Sequence, residues 1–388
     1  MPPQPSSRFA QFLFSYYAHA GTFATYASLF FAARGMTAAE VAVLMSLIQV
    51  MRIVGPNLWG WVADHTQQRV RVLRLTGCGA LLAFTGFFFA DGFAQLFACM
   101  LLLNLFTSAQ SPLCEALALT WMKGDISQYG RIRLWGSAGF IVAVTIAGYG
   151  LQRWGVDSLL WIAGGLLVPV LLSALRIRDV PHVPHPHDAP AAPLGQVLRR
   201  REVIAFFAST ALMIGAHTSL YTYYSLYLER IGYGKPVIGA MWSLGVLAEI
   251  VCFWYQAPLF KHFGARTLMN VAFAVALVRF AMIGGGAAWL AVLVLAQVLH
   301  AVTFAVHHSS CIITMQRWFA GPLQARGQAL YMSIAYGIGG TAGGLFMSLF
   351  WDHIGPQAVY FAACALALAG WMAARLSFRW QAADAPRV

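Results

Sequence analysis

The chain has 388 residues, 60% of them hydrophobic and only 10% charged, and carries a formal net charge of +12. A mean hydropathy of +0.67 over that length excludes an ordinary water-soluble domain, which needs far more charge to cover its surface. The basic excess does not point to nucleic acid, because Lys and Arg gather at the ends of apolar runs rather than along one polar face.

A bilayer core of about 30 Å takes about 20 apolar residues as a helix. Runs of that kind predict helical spans at 9–33, 38–62, 72–90, 94–121, 129–150 and 156–175. After a polar interruption they resume at 202–228, 236–260, 267–285, 288–315, 326–350 and 356–376, twelve spans in all. With a cytoplasmic N-terminus, only Arg34, Arg153, Arg230 and Lys235 lie outside, and nearly all other basic residues lie inside, including Arg69, Lys123, Arg176, Arg201, Lys261 and Arg326. By the positive-inside rule both termini are expected in the cytoplasm. The first run is too long and too polar-flecked for a cleaved leader and is expected to stay as the first span. All six cysteines fall within spans without CxxC spacing, so they read as packing residues, with no disulfide framework and no metal site expected.

The polar interruption "RIRDVPHVPHPHDAPAAPLGQVLRRRE" is proline-rich and basic at both ends, as suits a cytoplasmic linker. It divides the chain into a six-span bundle at 1–175, a linker at 176–201 and a second six-span bundle at 202–388. His182, His185 and His187 read as solvated linker residues rather than metal ligands. A shift of 197 residues aligns the segment from Gly35 with that from Gly232 without a gap, matching Ser46 to Ser243 and Leu47 to Leu244 and setting Arg52 opposite Glu249. Two related six-helix halves are the architecture of alternating-access carriers.

Charges inside the spans mark the candidate site, since lipid cannot solvate them. Glu115, in "SPLCEALALTW", and Arg133, in "YGRIRLWGSAGF", are equidistant from the turn at Gly124, so antiparallel helices place them at one depth, where they can pair. Glu249 and Arg279 are likewise equidistant from Gly264 and share a depth with His300, and His307 follows seven residues later on roughly the same face. Motion of Arg279 relative to Glu249 would switch the proton affinity of the carboxylate, a usable coupling device. The alternative for both pairs is helix packing. Arg52 is left without an assigned carboxylate and suits a bound anion, or else backbone carbonyls or a share of Glu115. Tyr16, Tyr17, Tyr26, Trp135, Phe140, His217, Tyr221 and Tyr224 could line a cavity, whereas the small residues of "GIGGTAGG", Gly337–Gly344, suit close helix packing.

The loop "GWVADHTQQRVR", with Gly60, Asp64 and Arg69, is similar to the gating loop after helix 2 of the major facilitator superfamily. Glu115 with "GRIRLWG", "RIVGPNLWGWVAD", "LAEIVCFWYQAPL" and "QVLHAVTFAVHH" resemble the oligosaccharide:proton symporter branch, typified by the lactose permease, and more closely its phenylpropionate permease relatives. The resemblance covers nearly the whole chain. It implies the major facilitator fold, an all-α membrane protein of twelve transmembrane helices in two pseudo-symmetric six-helix bundles. It also implies that Glu115 and Arg133 bind solute, with Phe140 where the lactose permease stacks a tryptophan on its sugar. Thr303 stands where that permease has a carboxylate implicated in proton release, so coupling falls on Glu249, Arg279, His300 or His307.

The expected function is proton-coupled uptake of a small organic solute, an aromatic or other monocarboxylate such as phenylpropionate. Arg52, Glu115, Arg133, Phe140, Tyr17, His217 and Tyr221 are the candidate solute ligands. The alternative is a galactoside, oligosaccharide or nucleoside symporter. A drug exporter is disfavoured because "GSAGFIVAVTIAGYG" lacks the glycine-proline motif of that group. An intramembrane enzyme is remoter still, because the residues of "HHSSC" point around a helix rather than at one another. So is a non-transporting sensor, which would be expected to carry a soluble domain. No cofactor is expected beyond the proton gradient. The expected partners are solute, H+ and lipid but not nucleic acid, and the carrier is expected to be a monomer in a bacterial inner membrane.

Overall fold

Apolar runs of the predicted lengths become helices in the computed structural model, which describes residues 6–122, 125–179, 194–319 and 323–383. The helices α1 Ser7–Ala33, α2 Ala38–Thr66, α3 Arg69–Thr85, α4 Phe93–Trp121, α5 Ile126–Trp154 and α6 Ser158–Arg176 come first. A short helical turn, Leu194–Leu198, precedes α7, Arg201–Arg230. Next comes one helical stretch of 52 residues, Lys235–Gly286. At about 1.5 Å per residue it is more than twice as long as a bilayer core is thick. Gly264 breaks it with φ 67° and ψ 159°, a backbone open to glycine, into α8 (235–263) and α9 (265–286). The chain ends with α10 Leu290–Met315, α11 Arg326–His353 and α12 Pro356–Ala383.

Ten helices among the described residues are long and apolar enough to cross a membrane. Dividing the long stretch at Gly264 and adding the 27-residue α1 makes twelve spans. Exposed apolar side chains such as Leu82, Ile146 and Val278 lie along these helices. Trp154, Trp161 and Trp289, each more than 70% exposed, sit at helix ends, where the amphipathic indole suits the membrane interface.

The described residues form two compact units, one from 6–179 with 228–243 and the other from 194–227 with 244–383. The middle of the expected linker, with His182, His185 and His187, lies outside the described residues, as do Lys123 and Gly124. In the first unit α1 packs against α5 and α6. Close approach to α5 occurs at Gly139, where an added Cβ would collide with the Phe14 carbonyl. Phe9, Phe12 and Leu13 of α1 join Leu73, Leu113 and Leu117 in one core. The start of α8 belongs to this unit: the Tyr26 hydroxyl donates to the carbonyls of Val144, at 3.0 Å, and Lys235, at 3.2 Å.

In the second unit α7 is the central helix, packed against α11 and α12. Gly339 and Gly343 meet Ala211 and Gly215 of α7 so closely that neither position has room for a Cβ, in line with the packing role expected of the small-residue run. Residues Val302–Val306 of α10 and Met332–Gly339 of α11 are wound as π-helix. Each such segment inserts extra residues into the turn and rotates the next residues around the helix axis.

Candidate solute and proton sites

In the first unit Glu115 and Arg133 meet, with Arg133 Nε 3.5 Å from Glu115 Oε1. The carboxylate also accepts from the Ser111 hydroxyl at 2.7 Å on Oε1 and from the Tyr129 hydroxyl at 2.8 Å on Oε2. Arg133 Nη2 donates to the Tyr17 hydroxyl at 2.8 Å, and that hydroxyl lies 3.1 Å from Ser111 Oγ. The guanidinium carbon lies 4.3 Å from the Tyr17 ring centroid, an additional cation–π contact. Side chains from α1, α4 and α5 thus hold one carboxylate and one guanidinium together. Space for Tyr17 and Arg133 is made by Gly136, where a Cβ would stand 2.7 Å from the tyrosine ring and 3.0 Å from Arg133 Nη1.

Phe140 lies one turn further along α5 with its ring against Gly21 of α1, so close that a methyl at Gly21 would overlap it. Trp135 is 54% exposed and edges against Phe14. Arg52 is exposed on α2 and donates from Nη1 to the neutral Gln49 Oε1 at 3.3 Å. Pro56, four residues on, cannot donate to the Arg52 carbonyl, so α2 runs on through this point with one bond of its backbone ladder missing. Tyr16 lies within electrostatic reach of Arg52, Glu115 and Arg133 together. These three charges sum to one excess positive charge.

In the second unit the arrangement differs from the expected Glu249–Arg279 pair. Glu249 Oε1 lies 2.7 Å from His300 Nε2. Arg279, fully buried, donates from Nε to the Ala296 carbonyl at 2.7 Å, from Nη1 to Thr303 Oγ1 at 3.2 Å and from Nη2 to Gln297 Oε1 at 3.1 Å. Equal distance from the turn gives equal depth but says nothing of rotation about each helix axis, and α10 offers its own polar groups to both residues. Glu249 remains close enough for Arg279 to feel its charge.

His217, expected among the solute ligands, is fully buried beside this cluster. Its Nδ1 lies 2.9 Å from the Met213 carbonyl, and its Nε2 lies 3.3 Å from Thr303 Oγ1. Tyr221 is half-buried one turn later, with its ring 6.4 Å from that of His217. Thr303 is thus the node joining Arg279, His217 and the His300 carbonyl.

His307 does not share the face of His300. Its ring packs on Phe273, 5.3 Å between centroids, and contacts Cys311. The π-segment between the two histidines inserts a residue, so His308 takes the aligned position. His300, Phe304 and His308 form a stacked column with centroids 5.4 and 6.4 Å apart. His308 Nδ1 lies 3.3 Å from the Tyr331 hydroxyl. Sequence reasoning missed His308, which no residue pattern distinguishes from its neighbour. It also missed Ser111 and Tyr129, each four residues before a charged residue of the pair and so legible from helical spacing.

A 3.0 Å ion pair between Asp64 Oδ1 and Arg69 Nη2 bridges the turn that joins α2 to α3. Gln67 between them takes a left-handed turn at φ 56°. Gly60 has open space around it. Among the described residues no group of His, Cys, Asp and Glu is arranged to hold a metal ion.

Residues 7–362 match the model of the MFS_1 like family, nearly the whole chain. The chain belongs to that family. It is a membrane transporter of the major facilitator type and not an enzyme. Relatives within this group include the probable 3-phenylpropionic acid transporter of Escherichia coli, 28% identical over 84% of this chain and 85% of that protein. The maltose permease of Geobacillus stearothermophilus is 25% identical over 85% of this chain and 84% of its own. Among solved structures, the nucleoside transporter NupG superposes with a TM-score of 0.81 at 16% identity, over 96% of this chain and 98% of that one, a likeness of fold.

Proposed function

We propose that this carrier takes up an aromatic or other small monocarboxylate of the phenylpropionate type together with a proton, by alternating access of two six-helix halves, residues 1–175 and 202–388. The observation that supports it is the charge of the first-unit cluster. Glu115 neutralises Arg133, whereas Arg52 meets a neutral glutamine, and a guanidinium with free edges is well suited to bind a carboxylate through two parallel hydrogen bonds. The 3-phenylpropionic acid transporter among its relatives supports the same solute class. Phe140 and Tyr17 supply aromatic surface for the ring. The cluster of Glu249, His300 and Arg279, with His307 nearby on α10, is proposed to couple solute to proton. The charge asymmetry of the loops supports both termini in the cytoplasm; the proposal further places the carrier in a bacterial inner membrane as a monomer.

The second reading, a galactoside, oligosaccharide or nucleoside symporter, is favoured by the hydroxyls of Tyr17, Ser111 and Tyr129 gathered at Glu115. A thermal-shift screen of purified protein with aromatic acids, sugars and nucleosides separates the two, since a ligand of the folded state raises its stability. Stabilisation by aromatic acids is expected. Stabilisation confined to sugars or nucleosides would reject the carboxylate.

A further inference from the structure

Two histidines on helices of the second unit, His217 and His262, share a simple arrangement that His300 lacks. An imidazole on a helix can donate its Nδ1–H to the carbonyl four residues earlier. His217 lies 2.9 Å from Met213 O in this way, and His262 lies 2.8 Å from Pro258 O. His300 does not. It is only 7% exposed, yet its Nδ1 has no hydrogen-bond partner. The carbonyl four residues before it belongs to Ala296, and that oxygen receives Arg279 Nε at 2.7 Å. Arg279 has taken the place that the histidine's own N–H fills elsewhere.

The two ring nitrogens of His300 are therefore unequal. Nε2 faces Glu249 Oε1 at 2.7 Å, so one proton lies on that axis. Nδ1 is left bare, because a proton there would be buried without an acceptor. The titratable and charged groups around the ring are Glu249 of α8, Arg279 of α9 and His217 of α7, whose ring lies 5.9 Å away. Beyond Phe304, on α10 itself, stands His308. Tyr221, Tyr224 and Tyr360 lie in the electrostatic surroundings of Arg279.

We propose that Nδ1 of His300 is the atom that accepts the transported proton, and that Arg279 controls it by holding or releasing the carbonyl of Ala296. The assignment rests on the symport reading above. When Arg279 turns from Ala296 O toward Glu249, the carbonyl is freed. A proton from the aqueous phase then binds Nδ1 and donates to Ala296 O, while Nε2–H stays on the Glu249 carboxylate. When Arg279 reclaims the carbonyl, Nδ1–H loses its acceptor and the proton returns to the water facing the site. One proton enters and one leaves, and no other bond changes. Thr303 and Gln297, which anchor the other two guanidinium nitrogens, are positioning residues for this exchange.

The test is nitrogen NMR of full-length protein labelled with ¹⁵N-histidine in lipid nanodiscs, with His300 assigned by its loss in His300→Asn. Wild-type protein is expected to show His300 protonated on Nε2 and bare on Nδ1. In Arg279→Gln the Nδ1–H population is expected to rise about fivefold or more, the ratio one ordinary hydrogen bond sets. Because removal of a buried arginine endangers the fold, Thr303→Val is measured beside it, keeping the guanidinium but loosening one anchor, and the same direction of change is expected. A wild-type Nδ1 already protonated, or folded variants in which Nδ1 is unmoved, would overturn the proposal. Accumulation driven by a pH gradient is read separately in proteoliposomes. Its absence alongside the expected NMR change would defeat symport and leave the exchange between Arg279 and His300 standing, whereas accumulation with an unmoved Nδ1 would remove His300 from the role.

Discussion

Arg133 is held between Glu115 and Tyr17: its Nε lies 3.5 Å from the carboxylate, and its Nη2 donates to the phenol at 2.8 Å. Both contacts depend on Gly136, one turn along α5, which has no side chain to occupy the space they fill. Gly136→Ala is therefore expected to displace Tyr17 and Arg133 together. Overpacking of this kind costs about 1–3 kcal/mol, enough to weaken solute binding about tenfold. The check is the solute Kd of purified variant beside its melting temperature. A lowered melting temperature with unchanged Kd would show that the pair is scaffold alone.

Glu115→Gln keeps the shape of the site and removes its one negative charge. With Arg133 no longer neutralised, the cluster becomes more positive. Binding of an aromatic acid is then expected to persist or tighten, whereas a sugar carrier using Glu115 as a hydrogen-bond acceptor would lose most of its affinity. Titration of both ligand classes against the variant separates these results.

Glu249→Gln removes the carboxylate that faces His300. Exchange of solute across the membrane needs no net proton movement and is expected to continue. Accumulation against a concentration gradient is expected to disappear when an imposed pH gradient is the driving force. Full accumulation by the variant would place coupling elsewhere.

Much of this architecture is legible in the residues themselves. Apolar runs of bilayer length mark the spans, and a carboxylate such as Glu115 within one demands a partner, which equal distance from a turn identifies as Arg133. The same count misdirects Glu249 to Arg279, because depth along a helix carries no information about rotation around it. His307 in place of His308 is an error of phase, made where the π-wound Val302–Val306 changes the number of residues per turn. Hydrophobic patterns do not report such a change. Nor do they report that Arg279 bonds a backbone carbonyl, since every residue offers one.

Asp64, in the last turn of α2, and Arg69, at the start of α3, make an ion pair across the intervening turn, with the aspartate side chain 65% and the arginine side chain 24% exposed. Such pairs contribute about 0–1 kcal/mol. Asp64→Asn is accordingly expected to leave the melting temperature nearly unchanged. A lower transport rate with unaltered Kd is expected if the loop acts in the conformational cycle. Unaltered rates under saturating solute would remove that role.

The central claim, that Arg52 receives the carboxylate of an aromatic acid in a proton-driven carrier, is tested most directly by uptake of labelled 3-phenylpropionate into proteoliposomes under an inward pH gradient. Wild-type protein is expected to accumulate the acid, and Arg52→Gln, equally folded by thermal melting, to lose about tenfold or more of the initial rate, as removal of a charge-assisted hydrogen bond implies. Equal uptake by the two proteins would contradict the account.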